Sequence, residues 1–120
     1  PRIMIADKCK YDVQTLLKES ALLITDYSSV LFDFAYQRKP LLFYQFDQAD
    51  FYHRHYKKGY FRYETFGPLA QNEGELLTYL ETALRSGMQL DANTTKRMED
   101  FFPWYDTHNC ERIYQEIIKL

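Results

Sequence analysis

Cysteine is almost absent from this chain of 120 residues. Cys9 and Cys110 lie at opposite ends and have no metal-ligand spacing, and two are too few for a disulfide framework. A reduced, cytoplasmic setting is therefore expected. Long apolar runs are also missing: none approaches the roughly 20 residues that span a bilayer. No signal peptide is visible. The net charge of −2 supplies no global attraction to nucleic acid or to an anionic membrane, and no nucleic-acid partner is expected. No internal repeat or low-complexity segment occurs, and no cluster of residues calls for a metal or a cofactor. At this length the chain can hold one domain with a real core. It opens at Pro1 and runs at once into Ile3-Met-Ile-Ala6, so it is expected to be a piece cut from a longer protein.

Aromatic residues, by contrast, are abundant, with eleven Tyr and nine Phe. Such side chains bury large areas in cores, and Tyr also suits surfaces that stack bases or touch polyhydroxylated ligands. Composition does not choose between the two. The basic residues are also uneven: His53, Arg54, His55, Lys57, Lys58 and Arg62 fall within ten positions.

The most informative stretch is Leu22 to Phe34. An apolar strand, Leu22 to Thr25, runs into the polar turn Asp26-Tyr27-Ser28-Ser29, and an apolar helix pattern follows to about Tyr36. Free N–H groups and the positive end of a helix dipole meet at such a turn, which suits phosphate. Thr25, Ser28 and Ser29 are the candidate phosphate contacts. The serines can equally be plain helix caps. Asp33 lies four residues after Ser29 on the same helical face. As an acid between Phe32 and Phe34 in a largely buried helix it needs partners, and ribose hydroxyls would supply them. The alternative is a buried Asp that accepts backbone N–H bonds. Asp26 is expected to tighten the turn through its own side chain.

Around this unit the pattern predicts an α/β fold: a Rossmann-like parallel sheet flanked by helices, with a helical C-terminus. Arg2–Ala6 reads as a buried strand, and Asp12 caps a helix through Ser20. Leu41–Tyr44 is a third strand after Arg38-Lys39-Pro40. Gln45 to Pro68 reads as a long aromatic and basic loop, broken at Gly59 and Gly67-Pro68. Glu73–Arg85 is an amphipathic helix stopped near Gly87. A further helix starts at Asn93 or Thr94 and ends before Pro103. Cys110–Leu120 forms the last, with Ile113, Tyr114, Ile117 and Ile118 facing inward. Phe101, Phe102, Trp104 and Tyr105 are expected as a packing seam between the late helices. Arg54, Lys57 and Lys58 are either a solvated charge run or, in a loop over the strand ends, phosphate contacts. His53 and His55 are not read as metal ligands.

Five blocks carry a resemblance. They are Leu23-Ile-Thr-Asp-Tyr-Ser-Ser-Val-Leu-Phe-Asp-Phe34, Lys39-Pro-Leu-Leu-Phe-Tyr-Gln-Phe-Asp47, Arg54-His-Tyr-Lys-Lys-Gly-Tyr-Phe61, Phe66-Gly-Pro68 and Asn109-Cys-Glu-Arg-Ile113. In this order and spacing the chain resembles the CDP-glycerol glycerophosphotransferases, the teichoic acid polymerases and primases of Gram-positive bacteria. The resemblance implies the C-terminal, CDP-glycerol-binding half of an enzyme similar to GT-B glycosyltransferases, truncated here. It implies transfer of glycerol phosphate from CDP-glycerol to a lipid-linked polyol phosphate acceptor, with CMP leaving. It also implies work at the inner face of the cell membrane, reached through the rest of the enzyme. The family's general-base histidines stand before Gly or Pro, whereas His53, His55 and His108 precede Arg, Tyr and Asn. The catalytic bases are therefore expected upstream, and the isolated fragment is expected to be inactive. One block departs from the family: Phe51-Tyr-His-Arg-His-Tyr56 is basic where a Gly-Arg-type turn is expected. Two other classes stay open, the donor half of another nucleotide-sugar GT-B enzyme and a non-catalytic Rossmann-like interaction domain.

Overall fold

The computed structural model describes residues 2–7, 9–54 and 61–120. Helix α1 (Val13–Glu19) leads to strand β1 (Leu23–Thr25), helix α2 (Val30–Tyr36) and strand β2 (Leu41–Tyr44). Helix α3 (Gln48–Arg54), a 3-10 turn (Tyr63–Thr65) and strand β3 (Leu69–Ala70) follow, then helices α4 (Glu73–Arg85), α5 (Ala92–Phe101) and α6 (Asn109–Ile117). The strands form one parallel sheet in the order β1-β2-β3. Leu23 pairs with Leu41 and Thr25 with Phe43, and Tyr44 pairs with Ala70. This is a Rossmann-like α/β fragment.

Strand β2 is the centre of the sheet and is apolar on both faces, as a doubly covered parallel strand must be. Leu41 and Phe43 point into a core with Leu31, Phe34 and Ala35 of α2, Leu17 of α1, Phe66 and Met98. Leu42 alternates to the other face, toward Tyr79 and Ala83 of α4, the helix that packs on β2 and β3. Helix α2 buries Leu31, Phe34 and Ala35 at the i, i+3, i+4 spacing of a single stripe.

Several expectations are corrected. Residues 2–6 form no strand, and Ile3, Met4 and Ile5 are exposed. Their apolarity marks a wish for burial, but a strand also needs a neighbour, and β1 takes none besides β2 among the described residues. The third strand is instead β3. The stretch 45–68 is not wholly irregular, because it contains α3 and the 3-10 turn. Helix α5 starts at Ala92, capped by Asp91, ahead of the expected start at Asn93 or Thr94. The apolar stripe of α6 does not face inward: Ile113, Tyr114, Ile117 and Ile118 are all more than half exposed. The expected aromatic seam reaches α6 only through Trp104, whose ring lies under the Arg112 guanidinium at 5.2 Å, and otherwise joins α5 to earlier elements. Phe101 and Phe102 pack on Phe66, Phe101 on Phe32, and Tyr105 lies against Tyr36.

The caps of α1 and α5 carry a pH dependence. Asp91 accepts the Asn93 and Thr94 amides at 2.9 Å each and the Thr94 hydroxyl at 2.6 Å. These bonds, the Thr94 hydroxyl foremost, hold its carboxyl below the usual range. Asp12, bonded to the Thr15 amide and hydroxyl, is lowered in the same way. A lowered folded-state pKa adds stability above the unfolded aspartate value and loses it as pH falls through the folded value. Asp91→Ala is therefore expected to cost about 1 kcal/mol at neutral pH. The cost should shrink in urea melts as pH falls below about 4. An equal cost at pH 7 and in the acid limb would show that the charge of Asp91 does not contribute.

Candidate functional site

Strand β1 ends at Thr25, opposite Phe43, and the chain turns through Asp26–Ser29 into α2. Parallel α/β sheets bind ligands beyond the carboxyl ends of their strands, and this turn lies at that edge. Asp26 tightens the turn as expected, its carboxylate accepting the Ser28 amide at 3.1 Å. Ser29 takes the N-cap position without a side-chain capping bond. The nearest substitute is the Ser28 hydroxyl, which accepts the Val30 amide at a long 3.5 Å. The Leu31 and Phe32 amides close back on the Ser28 and Ser29 carbonyls at 3.3 and 3.0 Å. Among the described residues nothing accepts from the Ser29 amide. Both serine side chains are exposed. The turn thus presents two hydroxyls, the Ser29 N–H without an acceptor among the described residues, and the weakly held Val30 N–H.

Asp33 differs from its expected setting. It is exposed, not buried between Phe32 and Phe34, and lines an open cleft between α1 and α2 with Val13, Leu17, Lys18, Val30 and Gln37. The helical turn explains this. At 3.6 residues per turn, position 33 is rotated about 200° from buried Leu31, while Phe34 and Ala35 return to the core side. No buried-acid argument remains for Asp33. What stands is its place one turn beyond Ser29.

The structure brings Thr25, Ser28, Ser29 and Asp33 onto one strand–turn–helix unit. Arg54 is elsewhere, in the last turn of α3, exposed and ion-paired with Asp50 at 3.4 Å. Lys57 and Lys58 lie outside the described residues. Among the described residues no three His, Cys, Asp or Glu side chains are grouped to hold a metal ion, and no helix is long and apolar enough to cross a membrane.

Sequence reasoning missed the residues that hold the turn in place. Gln45, directly after β2, is fully buried. Its side-chain amide donates to the Asp26 carbonyl at 3.0 Å, and its side-chain oxygen accepts the Gln48 side-chain Nε2 at 2.9 Å. The Tyr27 hydroxyl donates to Asp47 at 3.1 Å. Its ring stacks on Phe51 with centroids 3.6 Å apart and meets the edges of Tyr52 and Tyr63. Burial, followed by the hydrogen bond to Asp47 and that carboxylate's charge, pushes the Tyr27 phenol well above its ordinary value. Burial raises Tyr63 as well. The only signal available in sequence was a polar Gln45 between Tyr44 and Phe46.

Comparison with known proteins adds the family. Residues 3–119 match the family described as CDP-glycerol:poly(glycerophosphate) glycerophosphotransferase. The chain is 34% identical over 109 residues to the minor teichoic acid biosynthesis protein GgaB of Bacillus subtilis (strain 168), covering 89% of this chain and 12% of that protein. It is 32% identical over 114 residues to the teichoic acid glycerol-phosphate transferase of Staphylococcus aureus (strain NCTC 8325 / PS 47), covering 90% of this chain and 28% of that protein. A third relative, the teichoic acid poly(ribitol-phosphate) polymerase of Bacillus spizizenii (strain ATCC 23059 / NRRL B-14472 / W23), is 29% identical over 109 residues, 89% of this chain and 17% of that protein. The chain therefore spans between 12% and 28% of the length of these relatives. With the match running almost from end to end, the chain belongs to the CDP-glycerol:poly(glycerophosphate) glycerophosphotransferase family.

Proposed function

We propose that this chain is the donor-binding part of a teichoic acid glycerophosphotransferase. It takes CDP-glycerol, and the complete enzyme passes the glycerol phosphate unit to a lipid-linked polyol phosphate acceptor at the inner face of the membrane. The observation that carries the reading is the family match over residues 3–119. The turn 26–29 at the carboxyl edge of the sheet, with Asp26, Ser28 and Ser29 exposed, supports it. In this reading the diphosphate lies against the Ser28 and Ser29 hydroxyls and the Ser29 amide, beside Thr25. Asp33, exposed one turn further on, takes the ribose hydroxyls. Arg54, Lys57 and Lys58 supply positive charge to the diphosphate and to the departing CMP, where electrostatic stabilisation is a large part of phosphoryl-transfer catalysis.

The experiment is calorimetric titration of the full-length enzyme with CDP-glycerol, CDP-ribitol and a UDP-sugar, alongside Asp33→Asn. CDP-glycerol is expected to bind and the UDP-sugar not to. Asp33→Asn keeps the side-chain shape and loses the charge. It should weaken CDP-glycerol about tenfold, the effect of one charged hydrogen-bonding partner, with an unchanged melting temperature. Tighter binding of CDP-ribitol would assign the chain to a ribitol enzyme, a class also found among the named relatives. Absence of any cytidine-nucleotide binding would overturn the reading. Donor KM and kcat unchanged in Asp33→Asn would make Asp33 a surface residue.

A further inference from the structure

The turn that presents Ser28 and Ser29 is short, exposed and set between a three-residue strand and a seven-residue helix. Neither element has the length to hold it still. Ordering one residue's backbone costs roughly 1–2 kcal/mol, and a ligand that had to order the whole turn would bind correspondingly weakly. The structure nevertheless grips the turn from the neighbouring β2–α3 junction at two separate points.

The first point is Gln45. A fully buried amide is unfavourable unless its polar atoms are bonded, and here both ends are used. One reaches the Asp26 carbonyl and the other receives Gln48. Its own backbone N–H continues the ladder onto the Ala70 carbonyl at 2.9 Å. Gln45 therefore joins the sheet, the turn and the start of α3. An apolar residue here would leave the Asp26 carbonyl and the Gln48 side-chain Nε2 without these partners. The second point is Tyr27, on the turn itself. Its hydroxyl is bonded to Asp47 and its ring is stacked on Phe51 of α3. Gln45 grips the main chain of the turn, and Tyr27 grips its flank.

We propose that Gln45, Tyr27 and Asp47 form a clamp that fixes the 26–29 turn to the β2–α3 junction, making them positioning residues for a nucleotide-diphosphate ligand at Ser28 and Ser29. The ligand half of this statement rests on the donor-site reading above, whereas the clamp itself does not. Through the clamp, α3 and the turn are held together, so Arg54 in the last turn of α3 keeps a fixed origin relative to Ser28 and Ser29.

The test uses the full-length enzyme with Tyr27→Phe, Asp47→Ala, Asp47→Asn, Gln45→Leu and the double variant Tyr27→Phe/Asp47→Ala. Amide hydrogen exchange without nucleotide reads the clamp directly. Tyr27→Phe and Gln45→Leu should each accelerate exchange in 26–31 and in 47–53 together. Acceleration in one segment alone would overturn the clamp. Binding of CDP-glycerol reads the positioning. Tyr27→Phe and Asp47→Ala should each weaken it about fivefold to tenfold, the scale of an ordinary intramolecular hydrogen bond. The double variant should be no weaker than Asp47→Ala, since both remove one bond. Asp47→Asn retains an acceptor oxygen for the Tyr27 hydroxyl and should lose no more than about twofold. Multiplicative losses in the double variant, or an Asn variant as weak as the Ala variant, would overturn the pairing. Coupled exchange in an enzyme that binds no CDP-glycerol would support the clamp and overturn the donor reading instead.

Discussion

Gly67→Ala is expected to destabilise the fold by about 3 kcal/mol, at the upper end of ordinary overpacking. Gly67 is buried beside the middle of the sheet. A Cβ placed on it would lie 2.1 Å from the Leu41 carbonyl oxygen, 3.0 Å from the carbonyl carbon and 3.4 Å from the Leu41 Cβ. The clashing atoms are main chain, so no side-chain rotation relieves them. Leu41 opens β2, and its backbone is held in register with Leu23. The strain must therefore move the 66–68 segment. The Pro68 carbonyl accepts the Phe43 amide at 2.9 Å, and β3, only two residues long, begins at the next position. Displacing Gly67 thus loosens β3 and shifts Phe66, a core residue with no exposed surface. The melting temperature should drop on the order of 10 °C. Gly74→Ala is the control: it sits in the first turn of α4, where a Cβ meets only the Asn72 side chain at 3.4 Å. It should be neutral or slightly stabilising, since alanine is the better helix former. If Gly67→Ala melted within about 2 °C of the parent, the close approach to Leu41 would not be a real constraint.

The fold was legible where local pattern and tertiary need coincide. Strands β1 and β2 are short apolar runs bounded by a cap signal and a proline. Helix α4 combines a 3.6-residue period with an Asn72 cap that accepts the Glu75 amide at 3.0 Å. The resemblance blocks were equally legible, and they led to the correct family. Illegible features needed a partner that sequence does not name. The stripe of α6 shows that a helix forms and not what it packs against, and Ile3–Ile5 shows apolarity without a pairing strand. Helix α3 was hidden because its seven residues bury none of their own. Asp33 was misjudged because chain neighbours were taken for spatial neighbours, although each helical step rotates the side chain by about 100°. Gln45 and the Tyr27–Asp47 pair were missed for the same kind of reason. Their partners are 19 and 20 residues away in sequence, and a polar residue after a strand has no local signature of burial.

Phe34→Ala is expected to cost about 3–5 kcal/mol, the range for removing a large aromatic from a core. That is a substantial share of the roughly 5–15 kcal/mol that holds a typical domain together. Phe34 has no exposed surface and sits in the core between α2 and the sheet. The ring also faces the Lys39 ammonium, 5.4 Å from its centroid, and that ammonium donates to the Leu17 carbonyl at 2.9 Å and to the Lys18 carbonyl. Loss of the ring would open a cavity and remove the aromatic face beside the lysine that ties α1 to the end of α2. The effect should reach the candidate site through α2 itself. A seven-residue helix is well below the roughly 12–15 residues at which isolated helices become even marginal in water. Its position therefore depends on the burial of Leu31, Phe34 and Ala35, and Ser28, Ser29 and Asp33 travel with it. Phe34→Leu keeps an apolar side chain of lesser volume in the same place and should cost less than about 2 kcal/mol. Urea denaturation of the two variants gives the comparison. The leucine variant should retain nucleotide binding in the full-length enzyme at temperatures where the alanine variant has lost both its cooperative unfolding transition and its ligand. A loss below about 1 kcal/mol for Phe34→Ala would mean that α2 is anchored by something other than its buried stripe. The orientation of the serine turn would then have to come from the Gln45 and Tyr27 contacts alone.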